Sequence, residues 1–133
     1  MILSAADRLD ILDLITRADD AATRRDAEAY AALFTPDAVL DGTQGTHAAA
    51  GLRDAVGPIW AAEGPASLHL TLNPVIAPGR SADDAVVSSI LLIVDPAAPA
   101  AIRATAAITQ TVRRTGGAWH IARRTVAAAD KPF

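Results

Sequence analysis

Among the 133 residues, His69 is the side chain best suited to take and return a proton near neutral pH. It lies in Ser67-Leu68-His69-Leu70-Thr71-Leu72-Asn73, where polar and apolar residues alternate as they do in a strand. The same pattern fits a strand histidine bonded to water or to a carbonyl. To serve as a base, the imidazole needs a carboxylate that fixes its tautomer and stabilises the imidazolium. At 100° per residue from Ile15, residues Ile11, Leu12, Ala18 and Ala22 fall within about 60°, and Asp19 at about 40°, inside the apolar arc. Asp10, Asp13 and Asp20 fall outside it. Asp19 is therefore the expected second catalytic residue; its alternatives are an ion pair with Arg8, Arg24 or another arginine, or a carboxylate that edges out to solvent.

Four further residues are candidates for substrate binding. Thr23 follows Asp19 at i, i+4 and offers a hydroxyl donor, although a hydroxyl cannot serve as a base near pH 7. Tyr30 can donate to a substrate carbonyl, Gln110 interrupts the apolar face of its strand, and Trp60 can line a cavity or pack in the core or an interface. His47 is read as a loop residue, and His120 as facing oppositely to Trp119. The pairs Arg24-Arg25, Arg113-Arg114 and Arg123-Arg124 read as solvated faces or interface ion-pair donors. His47, His69 and His120 lack ligand spacing, so no metal is expected. Gly42, Gly45 and Gly51 make no dinucleotide fingerprint, and no cofactor is implied.

The elements that must position these groups are legible in outline. Ser4 with Asp7 has capping-box spacing ahead of a helix that runs to about Thr23. Asp26 is the expected N-cap of a short helix through Phe34, ended by Pro36. Ala38-Val39-Leu40 reads as a strand that Thr46 to Ala49 can pair with, and Gly51 opens a helix toward Trp60 that Pro58 should shorten or kink. Beyond Pro65 the period changes to two: strands are expected over Ser67–Ile76, Ala85–Asp95, Ile102–Arg113 and Trp119–Ala128, with a Gly116-Gly117 hairpin turn. Helices followed by long antiparallel strands predict an α+β layer pair, the N-terminal helices packed into the concave face of a curved, mostly antiparallel sheet.

Length and composition limit the alternatives. Residues 1–133 suffice for one domain with one core. With 51% hydrophobic and 20% charged residues the chain is globular, and zero cysteines exclude disulfides, thiolate metal sites and thiol nucleophiles. A net charge of −3 gives no general pull toward nucleic acid. No secretory signal or membrane-length apolar run is seen, so a cytoplasmic protein without a membrane partner is expected.

The phrases Thr23-Arg24-Arg25-Asp26, Tyr30 to Val39, His69-Leu70-Thr71-Leu72-Asn73-Pro74-Val75-Ile76 and Gly117 to Arg124 resemble the SnoaL-like group of the nuclear transport factor 2-like superfamily, across nearly the whole chain. The resemblance implies a cystatin-like cone, shared by scytalone dehydratase, ketosteroid isomerase and limonene epoxide hydrolase as well as by non-catalytic binders. In the dehydratase-like members, a strand histidine pairs with an aspartate near the end of the first helix. His69 matches that histidine; the aspartate position falls on Thr23, and the tyrosine five residues earlier on Ala18. Asp19 is then expected to act from one turn away.

These readings converge on cofactor-free lyase or isomerase chemistry on a small hydrophobic metabolite in an apolar cone. The alternatives are a non-catalytic small-molecule-binding protein, or a dimeric accessory module with a filled cone and a large apolar dimer face. A homodimer through the sheet is expected in each case. Aromatic content of only 4% favours an aliphatic pocket.

Overall fold

In the computed structural model, residues 2–128 are described. Helix α1 (Ala5–Thr23) starts at the expected capping box: Ser4 Oγ accepts from Asp7 N–H, and the Asp7 carboxylate accepts from Ser4 N–H. Ile11, Leu14, Ile15, Ala18, Ala21 and Ala22 form its buried stripe. Helix α2 (Ala27–Ala31) is capped by Asp26 and stops short of Phe34, because Phe34–Gly42 is strand β1, with Pro36 inside it. β1 runs parallel to the last strand, and its register shifts between Phe34 and Val39, so Pro36 sits where ladder pairing is interrupted. β2 (Gly45–Ala48) pairs back on β1.

Helix α3 (Ala49–Ala62) is neither short nor ended by Pro58. Pro58 lies on its exposed side, where a carbonyl one turn back can be solvated. Gly64, with φ of +112°, ends the helix in the left-handed region. The four long strands follow as β3 (Leu68–Pro78), β4 (Asp84–Asp95), β5 (Ala101–Thr115) and β6 (Ala118–Ala128). Gly116 and Gly117 both take positive φ at the β5–β6 turn.

The strand order is β2-β1-β6-β5-β4-β3, antiparallel except for β1 against β6. The helices pack on one face of this sheet, giving the expected α+β layers. α1 lies antiparallel to β3: Arg8 Nη1 donates to the Ile76 carbonyl, and at the other end His69 N–H donates to Thr23 Oγ1 at 2.9 Å. Among the described residues, no helix is long and apolar enough to cross a membrane.

Two bulges decide which side chains face the helices. In β3 the register shifts between Leu72 and Val75, around Asn73 with φ of +53°. In β6 Ile121 pairs with Val112 but Arg123 with Thr111, so Ala122 is the extra residue. Before it Trp119 and Ile121 point inward; after it Arg124 is buried and Arg123 exposed.

Candidate functional site

Between sheet and helices lies a cavity of about 740 Å³. Leu40, Val56, Ile59, Leu91, Ile93 and Val126 give it an aliphatic wall, and Tyr30, Trp60, His47, Glu63, His69 and Arg124 give it chemistry. Its size suits a small organic molecule.

His69 points inward from β3 and is 6% exposed. Strand alternation accounts for this: His69 and Thr71 face the helices, whereas Leu70 and Leu72 face out. The imidazole meets a carboxylate, but that carboxylate is Glu63 and not Asp19. His69 Nε2 lies 2.6 Å from Glu63 Oε2, with side chains 4% and 18% exposed. A carboxylate accepts only, so Nε2 carries the proton and Nδ1 is the basic nitrogen of the neutral ring. Nδ1 makes no hydrogen bond to the described residues.

Asp19 is buried, as its place in the apolar arc required, yet it does not line the cavity. Because α1 runs antiparallel to β3 and Thr23 sits at His69, Asp19 is displaced by one turn, about 5.4 Å, along the strand. Its Oδ1 has no partner among the described residues. The alternative ion pairs do not form either: Arg24 holds Asp20 at 2.8 Å, and Arg8 is bound to Ile76.

Thr23 also stands outside the cavity lining. Its hydroxyl accepts from the His69 backbone and so fixes the strand that carries the imidazole, a positioning role in place of substrate contact. Gln110 is fully buried behind the wall, where its Oε1 accepts from Arg124 Nη1 at 3.3 Å. Tyr30 and Trp60 do line the cavity, and their rings meet edge to face with centroids 5.3 Å apart. Burial pushes the Tyr30 phenol above its ordinary value; the Arg124 guanidinium opposes this, and the Asp19 and Glu63 carboxylates reinforce it. Tyr30 is therefore a neutral donor at physiological pH.

Three site residues were missed or misplaced from sequence. Glu63 caps the C-terminal end of α3, where a negative charge faces the unfavourable end of the helix dipole; such a placement is itself a signal that the charge has another partner. Arg124, expected on a solvated face or as an interface ion-pair donor, is 4% exposed, because the Ala122 bulge turns it inward. His47 belongs to β2 and lines the cavity, with a buried Nε2 that has no partner among the described residues. Among the described residues, no group of three or more His, Asp or Glu side chains converges to hold a metal.

A family model for the SnoaL-like domain matches residues 4–125. The chain belongs to the SnoaL-like family. The family lies within the nuclear transport factor 2-like superfamily, and the cystatin-like fold is that of its structural neighbours. A protein of unknown function from Nostoc punctiforme with a cystatin-like fold is 25% identical, with a TM-score of 0.80 over 99% of this chain and 98% of that one. A protein provisionally assigned as a scytalone dehydratase, from Novosphingobium aromaticivorans, is 20% identical, with a TM-score of 0.74 over 93% and 85%. LinA is also 20% identical, with a TM-score of 0.74 over 96% and 93%. No curated protein matches the sequence. These likenesses establish the fold.

Proposed function

We propose that the cavity hosts cofactor-free acid–base chemistry of the lyase or isomerase type on a small hydrophobic metabolite. The observation that carries this reading is the 2.6 Å contact between His69 Nε2 and Glu63 Oε2 in the cavity wall. Glu63 holds the Nε2–H tautomer, and His69 Nδ1 takes a proton from a carbon next to a carbonyl or a leaving group. The imidazolium so formed keeps the carboxylate beside it. Tyr30 donates to the oxygen on which negative charge develops. The proton then returns to the product carbon or to the leaving group.

The test is proton exchange. Enolisable ketones and β-hydroxy carbonyl compounds are incubated in deuterium oxide, and loss of the C–H signal is followed by NMR. His69→Ala should abolish exchange, and Glu63→Gln should slow it by about 10²- to 10⁴-fold. Full activity in His69→Ala refutes the base role. A non-catalytic binder is the second reading, favoured by Thr23 at the position where the resemblance implies an aspartate; ligand binding without exchange would support it. The open cavity speaks against the accessory module with a filled cone.

We also propose a homodimer through the outer sheet face. Leu70 and Leu72 are 43% and 41% exposed there, beside Ile90, Leu92 and Val94, so the outward row of edge strand β3 is the apolar one. Light scattering should show a dimer, and Leu70→Glu with Leu72→Glu should leave a folded monomer. A wild-type monomer at micromolar concentration would overturn this.

A further inference from the structure

We infer that the ligand of this cavity carries a carboxylate, which docks on Arg124. The inference rests on the cavity being the ligand site proposed above, but not on catalysis there.

Among the described residues Arg124 is the buried cation, whereas Arg103, which also lines the cavity, is exposed. Arg17, Arg24, Arg113, Arg114 and Arg123 each meet an aspartate, and Arg25 is bound by two backbone carbonyls and Ser67. These side chains all have more contact with solvent than Arg124 does. Arg124 is 4% exposed, lines the cavity, and has one hydrogen bond among the described residues, to the neutral Gln110 Oε1 at 3.3 Å. No carboxylate lies within ion-pair distance of it among those residues. A guanidinium has five N–H donors and cannot shed its proton in a protein. Burying it with one neutral acceptor is costly, so the arrangement is complete only with an anion.

The neighbours point the same way. Leu40 pairs with Arg124 on one side and with His47 on the other, and Arg124 pairs with Gln110, so His47, Leu40, Arg124 and Gln110 form one cross-strand row. His47 lines the cavity with an Nε2 that has no partner among the described residues; in its Nε2–H tautomer it offers a second donor on that row. Gln110 is a positioning residue: its amide oxygen holds the guanidinium from behind, away from the cavity. The one carboxylate among the lining residues, Glu63, is engaged by His69. The Tyr30 phenol senses both Glu63 and Arg124, so the acid–base pair and the cationic pole serve a single chamber. With the aliphatic wall between them, the complementary ligand is a small amphipathic acid, its carboxylate forked on Arg124 and its hydrocarbon body against Leu91, Ile93 and Val126.

Binding is measured calorimetrically at pH 7 in the His69→Gln protein, so that turnover does not interfere. Cyclohexanecarboxylate, phenylacetate and octanoate are each compared with the matching neutral carboxamide. At least one acid should bind about tenfold or more tightly than its amide, the effect expected of a hydrogen bond to a charged group. Arg124→Met should erase that preference while amide binding persists, and Arg124→Lys should retain part of it. If Arg124→Met fails to fold, Arg124→Gln, which keeps a polar head without the charge, should erase the preference instead. Equal binding of acids and amides, no binding of any acid, or a preference that survives Arg124→Met overturns the inference. Proton exchange lost in His69→Ala but with no carboxylate preference would leave the catalytic reading standing and remove this one.

Discussion

The pair His69–Glu63 can be weighed by a thermodynamic cycle that needs no substrate. His69→Phe removes both ring nitrogens at similar size, and Glu63→Leu removes the carboxylate. Each single change leaves the other polar group mostly buried and without its partner at 2.6 Å, since the side chains are 4% and 18% exposed. A hydrogen bond involving a charged group contributes about 1.5–3 kcal/mol, and an orphaned buried polar group loses a similar amount. Each single variant should therefore lose about 1.5–3 kcal/mol, whereas the double variant, with neither group left to satisfy, should lose no more than the worse single. Urea unfolding at pH 7, read by fluorescence and by circular dichroism, measures all four corners. For a domain of this size the singles should also melt some 4–12 °C lower, taking about 3–4 °C per kcal/mol. If the two losses simply add, to within about 0.5 kcal/mol, the groups are not coupled and the reasoning fails.

Three other outcomes follow from the same geometry. Thr23→Val removes the acceptor of the His69 N–H, so stability should fall by about 1–3 kcal/mol and the His69 amide should exchange faster with deuterium; an unchanged amide rate would refute the positioning role. Burial raises the Tyr30 phenol, so the folded protein keeps that proton longer than the unfolded chain does. Stability is then complete below the ordinary value of 10.0 and declines as pH rises above it, a decline that Tyr30→Phe should reduce; an identical alkaline profile would count against it. Asp7 is lowered by its Ser4 hydrogen bond above all, then by Trp119 and Arg114. Its contribution is present above pH 3.8 and lost as pH falls through the lower folded value, so the gap between wild type and Asp7→Asn should close in acid; a gap independent of pH would contradict this.

What could be read from sequence followed local periodicity, and what could not depended on breaks in it. The α1 stripe and its capping box, the Gly116-Gly117 turn and the inward place of His69 all obey a single period over many residues. The same arithmetic buried Asp19 correctly, but it carried no information on how far α1 is displaced along β3. Arg124 escaped because one extra residue, Ala122, inverts the alternation of β6. Pro36 suggested a helix stop because its tolerance in β1 depends on an interruption of pairing to β6, a strand distant in sequence. Glu63 was hidden at a helix terminus, where neither period applies.

The carboxylate and imidazole that meet in this chamber are six residues apart, whereas Thr23, at the position where the resemblance implies an aspartate, is 46 residues from His69. The short connection between them is braced by the end of α1: Arg25 donates to the Gly64 carbonyl and to Ser67 Oγ, and Thr23 Oγ1 accepts from His69 N–H. One residue inserted between Gly64 and Ser67 would therefore carry the imidazole away from both its carboxylate and this brace.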